Sequence, residues 1–401
     1  MPIPTPFHSR TAALSVSHEW RDWSGYLSVA RYAATHDAEY YAVRSGAGLL
    51  DVSPLFKYEI TGPDAARLVD RIMTRDIAKC AVGQVMYSPW CDEDGQTIDD
   101  GTIQRFGPQH FRITAADPSL RWFQDVGYGL NAQIRDLSAD LGALALQGPK
   151  SREILKQIVT QSDDSLDALK YYYLTPAKID RIPVTITRTG YTGDLGYEIW
   201  VERRYAEKVY DSLYDTGRKY GLMPLGLVAL DMLRIEAGLL LIDVDYIAAT
   251  KADIESQKST PYEIGLSWAV DLDGADFIGK PALQRELKHG SEWFFCGLEI
   301  DWPHLESLFA THNLPPKVLG MASRAAVPVY KDGYQVGQAT SITFSPLLKK
   351  YIALATLKTQ YAAFGDDVHL ETTVEFSRQQ ARACVVKSSF FNPKRKREVL
   401  A

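Results

Sequence analysis

The chain has 401 residues, enough for two or three domains around a large core, and its 46% hydrophobic and 23% charged residues are the balance of a folded globular protein. Lys and Arg number 44 against 50 Asp and Glu, so the net charge of −6 supplies no basic face for nucleic acid. No apolar run approaches the ~20 residues of a membrane helix, the N-terminus MPIPTPFHSRTAAL lacks a secretory layout, and four scattered cysteines without a C-x-x-C pair read as reduced thiols of a cytoplasmic protein.

The first sixty residues are rich in aromatics, with Trp20, Trp23, Tyr26, Tyr32, Tyr40 and Tyr41. Alternation through Leu55–Ile60 then predicts a strand with one buried face. Thr61-Gly62-Pro63 follows, and Ala65, Leu68, Val69 and Ile72 fall at the i, i+3, i+4, i+7 spacing of an amphipathic helix. The same phrase recurs 86 residues later, where the apolar run before Gly148-Pro149 leads into a stripe of Ile154, Leu155, Ile158 and Val159. Strand, Gly-Pro, helix, written twice, suggests two similar α+β lobes. Between the copies, Asp94-Gly95 separates Val85–Cys91 from Thr97–Phe106, a hairpin pattern. Downstream, IPVTITRTGYTGDLGYEIWV reads as two strands around a glycine-rich loop, and GLVALDMLRIEAG as a helix stopped by Gly238. From about Phe295 short β-type runs and turns predict a small all-β module. The chain closes on a basic run, Pro393 to Arg397, whose ordinary reading is a solvated tail.

Metal chemistry finds no footing, since the eight histidines form no H-x-H or H-E-x-x-H pattern and have no Cys partner nearby. Acyl-transfer and nucleotide-phosphate signatures are missing as well. Two acidic constellations remain. Asp99-Asp100 lie in a β-prone run, where adjacent side chains point to opposite faces, so that one can face solvent and the other an interior pocket. In Gly190–Glu198, three glycines let backbone approach a ligand, and Glu198 beside Tyr197, Ile199 and Trp200 is a carboxylate suited to a guanidine-like edge such as that of a pterin.

These phrases resemble the glycine-cleavage T-protein (aminomethyltransferase) family of tetrahydrofolate-dependent one-carbon transferases. AGLLDVSPL, TGPDA, GQVMYS, DEDGQTIDD, ALQGP, RTGYTGDLGYEI, LRIEAG, PYEIGLSWAV, DFIGKPAL and ATSITFSPLLKKYIALA occur in family order from Ala47 to Ala355. The resemblance implies a cloverleaf of two interleaved α+β lobes around a central folate cavity, spanning 1–285, then an antiparallel β-barrel at 290–390 and the basic tail at 391–401. It places Asp100 on the catalytic aspartate, with Tyr191 as a second catalytic candidate. Glu198, Tyr191, Tyr87, Asp100, Trp268 and Thr114 fall on or near tetrahydrofolate-contacting positions.

The departures redirect the substrate. Leu230 stands where the family has an arginine, Pro54 where it has a histidine and Thr114 where it has an asparagine, while LIDVD brings Asp243 and Asp245 to the substrate end. A site that has lost an arginine and gained acids is expected to act on another donor. The expectation is transfer of a methyl or methylene group from a small aromatic ether or methylenedioxyphenyl compound to folate N5, without docking to a lipoyl carrier protein. Trp23 and Tyr41, with Trp20 and Tyr26, are candidates for an aromatic substrate wall. The alternatives are a true T-protein, an S- or N-methyl demethylase such as one acting on dimethylsulfoniopropionate, and a non-enzymatic folate-binding accessory protein.

Overall fold

A computed structural model describes residues 1–399. The duplicated phrase folds as the same device twice. The strand Phe56–Thr61 turns at Gly62 into the helix Ala65–Ile72, and the strand Leu141–Gln147 turns at Gly148 into the helix Ser151–Ile158. Both glycines have positive φ (116° and 123°), and a Cβ on either would sit 2.8 Å or less from a backbone carbonyl, so only glycine fits. The helical stripes Ala65, Leu68, Val69, Ile72 and Ile154, Leu155, Ile158 are all buried, each under its own sheet.

The first sheet runs Val85–Cys91, Thr97–Gly107, His110–Ala115, Phe56–Thr61, Gln133–Asp136, antiparallel throughout. The second runs Val159–Ser162, Leu174–Ile179, Ile182–Thr187, Gly196–Glu202, Leu141–Gln147, Ala47–Asp51, Leu222–Pro224, with only the last pair parallel. The chain lays Ala47–Asp51 into the second sheet, leaves to build the whole first sheet, and returns. The lobes are therefore interleaved. A small sheet of Ile3–Pro4, Tyr26–Arg31 and Glu19–Trp23 flanks them.

Helix Leu227–Ala237 is buried on every side and ends at Gly238 in the left-handed conformation, as its sequence predicts. After it, residues 239–279 hold only short helical turns and wrap the Val85–Gly107 hairpin, the Ala249 N–H donating to the Thr97 carbonyl and the Thr97 N–H to the Ser259 carbonyl. The strands Trp293–Ile300, Val327–Lys331, Tyr334–Ser345, Lys350–Lys358, Asp367–Val374 and Ser377–Val386 close a barrel with its own core. The barrel is locked to the lobes by polar bonds: Ser341 and Thr340 donate to Asp245, and Ser345 donates to Glu236. Among the described residues no helix is long and apolar enough to cross a membrane.

The basic tail differs from its sequence reading. Arg395 forks onto the buried Asp194 carboxylate at 2.6 and 2.7 Å, and the Arg188 and Arg152 guanidiniums donate to the Glu398 carbonyl. Phe391 lies 4.1 Å under the Arg44 guanidinium. Carbonyl acceptors on the tail and buried arginines beneath it, neither visible as a motif, turn a charge run into a docked strap. Residues 400 and 401 of that segment lie outside the described residues.

Candidate active site

In the hairpin, Pro89 pairs with Asp100 and Trp90 with Asp99, and the period of two sends the adjacent acids to opposite faces. Neither is simply solvated. Asp99 is fully buried and accepts from the backbone N–H groups of Asp100, Ala116 and Asp117 at 2.7, 3.1 and 3.0 Å, pinning the turn after His110–Ala115. The expectation of one acid facing solvent is corrected: that carboxylate has backbone donors on its own side. Asp100 keeps partial water contact while protein surrounds it, as at the bottom of a recess. Tyr87 donates to its Oδ2 at 2.7 Å and Tyr246 donates to its Oδ1. Burial pushes both carboxyls above the usual carboxylate range. At Asp99 the Asp100 charge adds to the rise and its backbone donors oppose it, whereas at Asp100 the two phenols oppose it. Gly101 is required beside them, since a Cβ there would lie 1.9 Å from the Thr114 carbonyl oxygen.

Tyr87 stacks on Trp268 at 5.8 Å with planes 19° apart, and the Arg75 guanidinium sits 5.6 Å from the Trp268 ring while donating to the Tyr87 carbonyl. Trp268 is 60% exposed, which puts this aromatic pair at the mouth of the recess. Burial raises the Tyr172 phenol, with Tyr171 and Glu198 adding to the rise and Arg75 opposing it, and Tyr172 in turn raises the Tyr87 phenol, so it lies between the Asp100 and Glu198 ends. Its backbone holds φ at +61°, a conformation a bulky side chain seldom adopts and one that clusters at functional positions.

Glu198 lies on Gly196–Glu202 opposite Thr187 and is surrounded by protein, with burial raising its carboxyl above the ordinary value. Its Oε2 accepts from Thr189 at 2.7 Å and from Thr187 at 3.4 Å, and no hydrogen bond to Oε1 is made among the described residues. The Arg112 guanidinium, pushed down to about 10 by burial, is the nearest compensating charge but bonds to Gln104 instead. A carboxylate largely surrounded by protein, still reached by water and with one oxygen free of protein partners among the described residues, is placed to accept external N–H donors.

The structure thus gathers Tyr87, Asp100, Trp268, Tyr191 and Glu198 around one recess, and it relocates the other candidates. The Tyr191 hydroxyl donates to the Leu240 carbonyl, and burial drives its phenol well above 10, so in the free protein it is held protonated on that carbonyl. Thr114 spends its hydroxyl on Thr102, at 2.8 Å to that hydroxyl and 3.0 Å to its N–H. Asp245 is buried among Arg234, Thr340, Ser341 and the Leu241 N–H, leaving nothing for a substrate. Asp243 sits on the surface with Lys251, 2.6 Å away. Tyr41 is half exposed, edge-on to Tyr40 on the outer side of its helix. Trp23 shares an apolar cluster with Tyr191, Leu230, Leu55 and Ala322, whereas Trp20 packs at a tilt against His8, ring centroids 4.9 Å apart. Tyr246, Tyr172 and Arg75 were not found from sequence. They come from irregular segments or a lone basic residue, and carry no spacing signal.

Residues 7–274 match the family model described as the GCVT N-terminal domain, and residues 316–392 match the glycine cleavage T-protein C-terminal barrel domain. The chain belongs to the glycine cleavage T-protein family. Members of this family are tetrahydrofolate-dependent one-carbon transferases. A trimethylamine-oxide aldolase from Ruegeria pomeroyi is 32% identical over 404 residues, covering 98% of this chain and 47% of that protein. The chain therefore spans about half the length of that relative. An aminomethyltransferase from Desulfitobacterium hafniense is 32% identical over 374 residues, covering 92% of this chain and 93% of that one. The fold is that of the glycine cleavage system aminomethyltransferase T from Bartonella henselae, with a TM-score of 0.81 at 22% identity over 98% and 99% of the two chains.

Proposed function

We propose that the recess binds tetrahydrofolate and that this protein moves a methyl or methylene group onto it from a small donor with an aromatic or otherwise apolar body. The observation that carries the reading is Glu198, a carboxylate surrounded by protein but still reached by water, whose Oε1 has no partner among the described residues, suited to the parallel N–H edge of a pterin. Tyr87, Tyr172 and Trp268 offer flat surfaces for the planar body. Arg75 and the strap residues Lys396 and Arg397, held over Tyr171 at 5.4 and 5.5 Å, supply cations for its anionic end.

Tetrahydrofolate, when bound, supplies the N5 amine that receives the carbon. Asp100 would orient the N5 amine, stabilise positive charge developing on it and accept its proton as the carbon is transferred, the proton then passing through water to the atom that loses the carbon. The phenols of Tyr87 and Tyr191 are already engaged and pushed up by burial, so the atom losing its carbon is served by water entering the recess. The donor lies against the cluster of Trp23, Leu230, Leu55 and Tyr191, where Leu230 replaces the family's arginine. The protein works in the cytoplasm on a small molecule, without a lipoyl carrier protein.

The test is mass spectrometry of folate after incubation with methoxy-, methylenedioxy-, N-methyl and S-methyl compounds. A 5-methyl or 5,10-methylene product with one class supports the reading; no folate product with any refutes it. The identity to trimethylamine-oxide aldolase puts N-methyl compounds in that panel. A second reading, aminomethyltransferase, is favoured by the near full-length match to the Desulfitobacterium protein and opposed by Leu230 and Pro54. Ammonia release from an aminomethyl-lipoyl carrier would establish it.

A further inference from the structure

Asp100 carries a phenol on each carboxylate oxygen, and the two arrive by different routes. Tyr87 reaches Oδ2 from the neighbouring strand of the same hairpin. Tyr246 reaches Oδ1 from 146 residues away, out of the wrapping segment, and is buried. Its delivery is over-determined. The turn Ile242–Tyr246 is closed by the Asp243 N–H on the Tyr246 carbonyl at 2.7 Å and by the Asp245 N–H on the Leu241 carbonyl at 2.8 Å. The Asp245 side chain then rivets that turn to Arg234 on the buried helix and to Thr340 and Ser341 on the barrel. The acids expected at the substrate end thus include one that anchors the tyrosine beside it.

Around Asp100 the other titratable groups are Asp99 on its own strand, Asp117 behind Asp99, and Tyr191 across the recess, with Lys251 engaged by Asp117 and Asp243. Among the described residues no Lys, Arg or His pairs with Asp100. Burial favours its neutral form, and the two hydroxyls favour the charged one.

We propose that Tyr246 is a positioning residue: together with Tyr87 it clamps Asp100 through both oxygens, fixing the plane of the carboxylate in the recess and keeping it ionised. The inference rests on the folate reading only for what Asp100 acts upon. The clamp is a property of the free protein.

The experiment labels aspartate carboxyl carbons with 13C and follows them by NMR against pH, the Asp100 resonance being the one lost in Asp100→Asn. Tyr246→Phe keeps the ring and removes one donor to the charged form, so the Asp100 midpoint rises by about one pH unit. Tyr87→Phe raises it likewise, and the double variant raises it further. An unchanged midpoint in Tyr246→Phe overturns the clamp. Should that variant not fold, the wild-type protein with 13Cζ-labelled tyrosine decides: the Tyr87 and Tyr246 resonances move at the Asp100 midpoint, and a Tyr246 resonance indifferent to it overturns the proposal. Titration with 5-formyltetrahydrofolate is run alongside. Absence of binding with the clamp intact defeats the folate reading alone, and normal binding with an unmoved midpoint defeats the clamp alone.

Discussion

Replacing Glu198 by Gln separates binding from folding, because the two respond to the carboxylate with opposite signs. In the free protein Glu198 is a charge largely surrounded by protein and supported by two threonine hydroxyls, and Thr187 and Thr189 also bond each other at 2.6 Å, so they keep partners when the charge goes. Its carboxyl lies above the ordinary value because of burial, so the folded chain holds that proton more tightly than the unfolded one. That contribution to stability is complete below the unfolded value of about 4.3 and is lost as pH rises through the folded value. At neutral pH the ionised side chain is therefore a burden, and Glu198→Gln melts at the same temperature as wild type or higher. For folate the sign reverses. Two parallel charge-assisted hydrogen bonds are worth roughly 1.5–3 kcal/mol each, and after the amide's residual bonding the net loss is about 3 kcal/mol, on the order of 100-fold in Kd. Fluorescence titration with 5-formyltetrahydrofolate beside a thermal melt reads both. Unchanged affinity, or a clear drop in melting temperature, refutes the assignment of Glu198 as a binding group held at some expense to the fold.

Asp100→Asn is expected to leave folate binding measurable while cutting turnover by at least about tenfold, the low end of a lost acid–base group; near-normal turnover in the folate mass assay would remove Asp100 from the chemistry. Arg395→Ala should lower stability by about 2 kcal/mol, below the 3–5 kcal/mol typical of a broken buried pair because Arg395 is partly exposed and Arg44 still faces Asp194 at 3.7 Å. The same variant should open the C-terminal strap to protease, and an unaltered digestion pattern would speak against docking. Leu230→Ala costs about 2–4 kcal/mol as a large-to-small core change and raises KM for the donor, with folate affinity held within about threefold; a folate loss as large as the donor loss would place Leu230 on the other side of the recess.

Much of the scaffold could be read because it is written locally. Gly62-Pro63 and Gly148-Pro149 signal the same turn wherever they occur, and the stripes that follow have a fixed period. That Asp99 and Asp100 part was legible because adjacent strand residues face opposite ways, but only the family resemblance pointed to Asp100, and the glycines before it drew attention to Glu198. Tyr246 was not, since only the wrapping path of 239–279 brings a tyrosine with no motif of its own to Asp100. Tyr172 takes a left-handed backbone without the glycine that would announce it. The strap was misread because a run such as Lys394–Arg397 is indifferent to context, and what fixes it is the buried guanidiniums of Arg188 and Arg152 beneath its carbonyls.

The structure also changes why a donor other than the family's is expected. The sequence offered two reasons, a lost arginine and two gained acids, and the second does not survive: Asp243 is occupied at the surface and Asp245 is consumed by Arg234 and the barrel. A carboxylate that accepts four hydrogen bonds in a sealed interface has no free lone pair with which to select a cationic donor. Of those two reasons, the lost arginine at Leu230 is the one that stands. The Leu230 side chain is buried in the cluster against which Trp23, Leu55, Tyr191 and Ala322 pack, while the adjacent Asp231 is held by Arg234 at 3.0 Å and by Arg324 at 2.5 Å. A wall whose nearest charge is doubly paired and whose own atoms are apolar gains most from a donor that brings apolar surface to bury. Discrimination in such a pocket is by shape and area, which differ among methoxy-, methylenedioxy- and N-methyl compounds by only a few methyl-sized groups. One donor class should therefore dominate the folate products without wholly excluding its near neighbours.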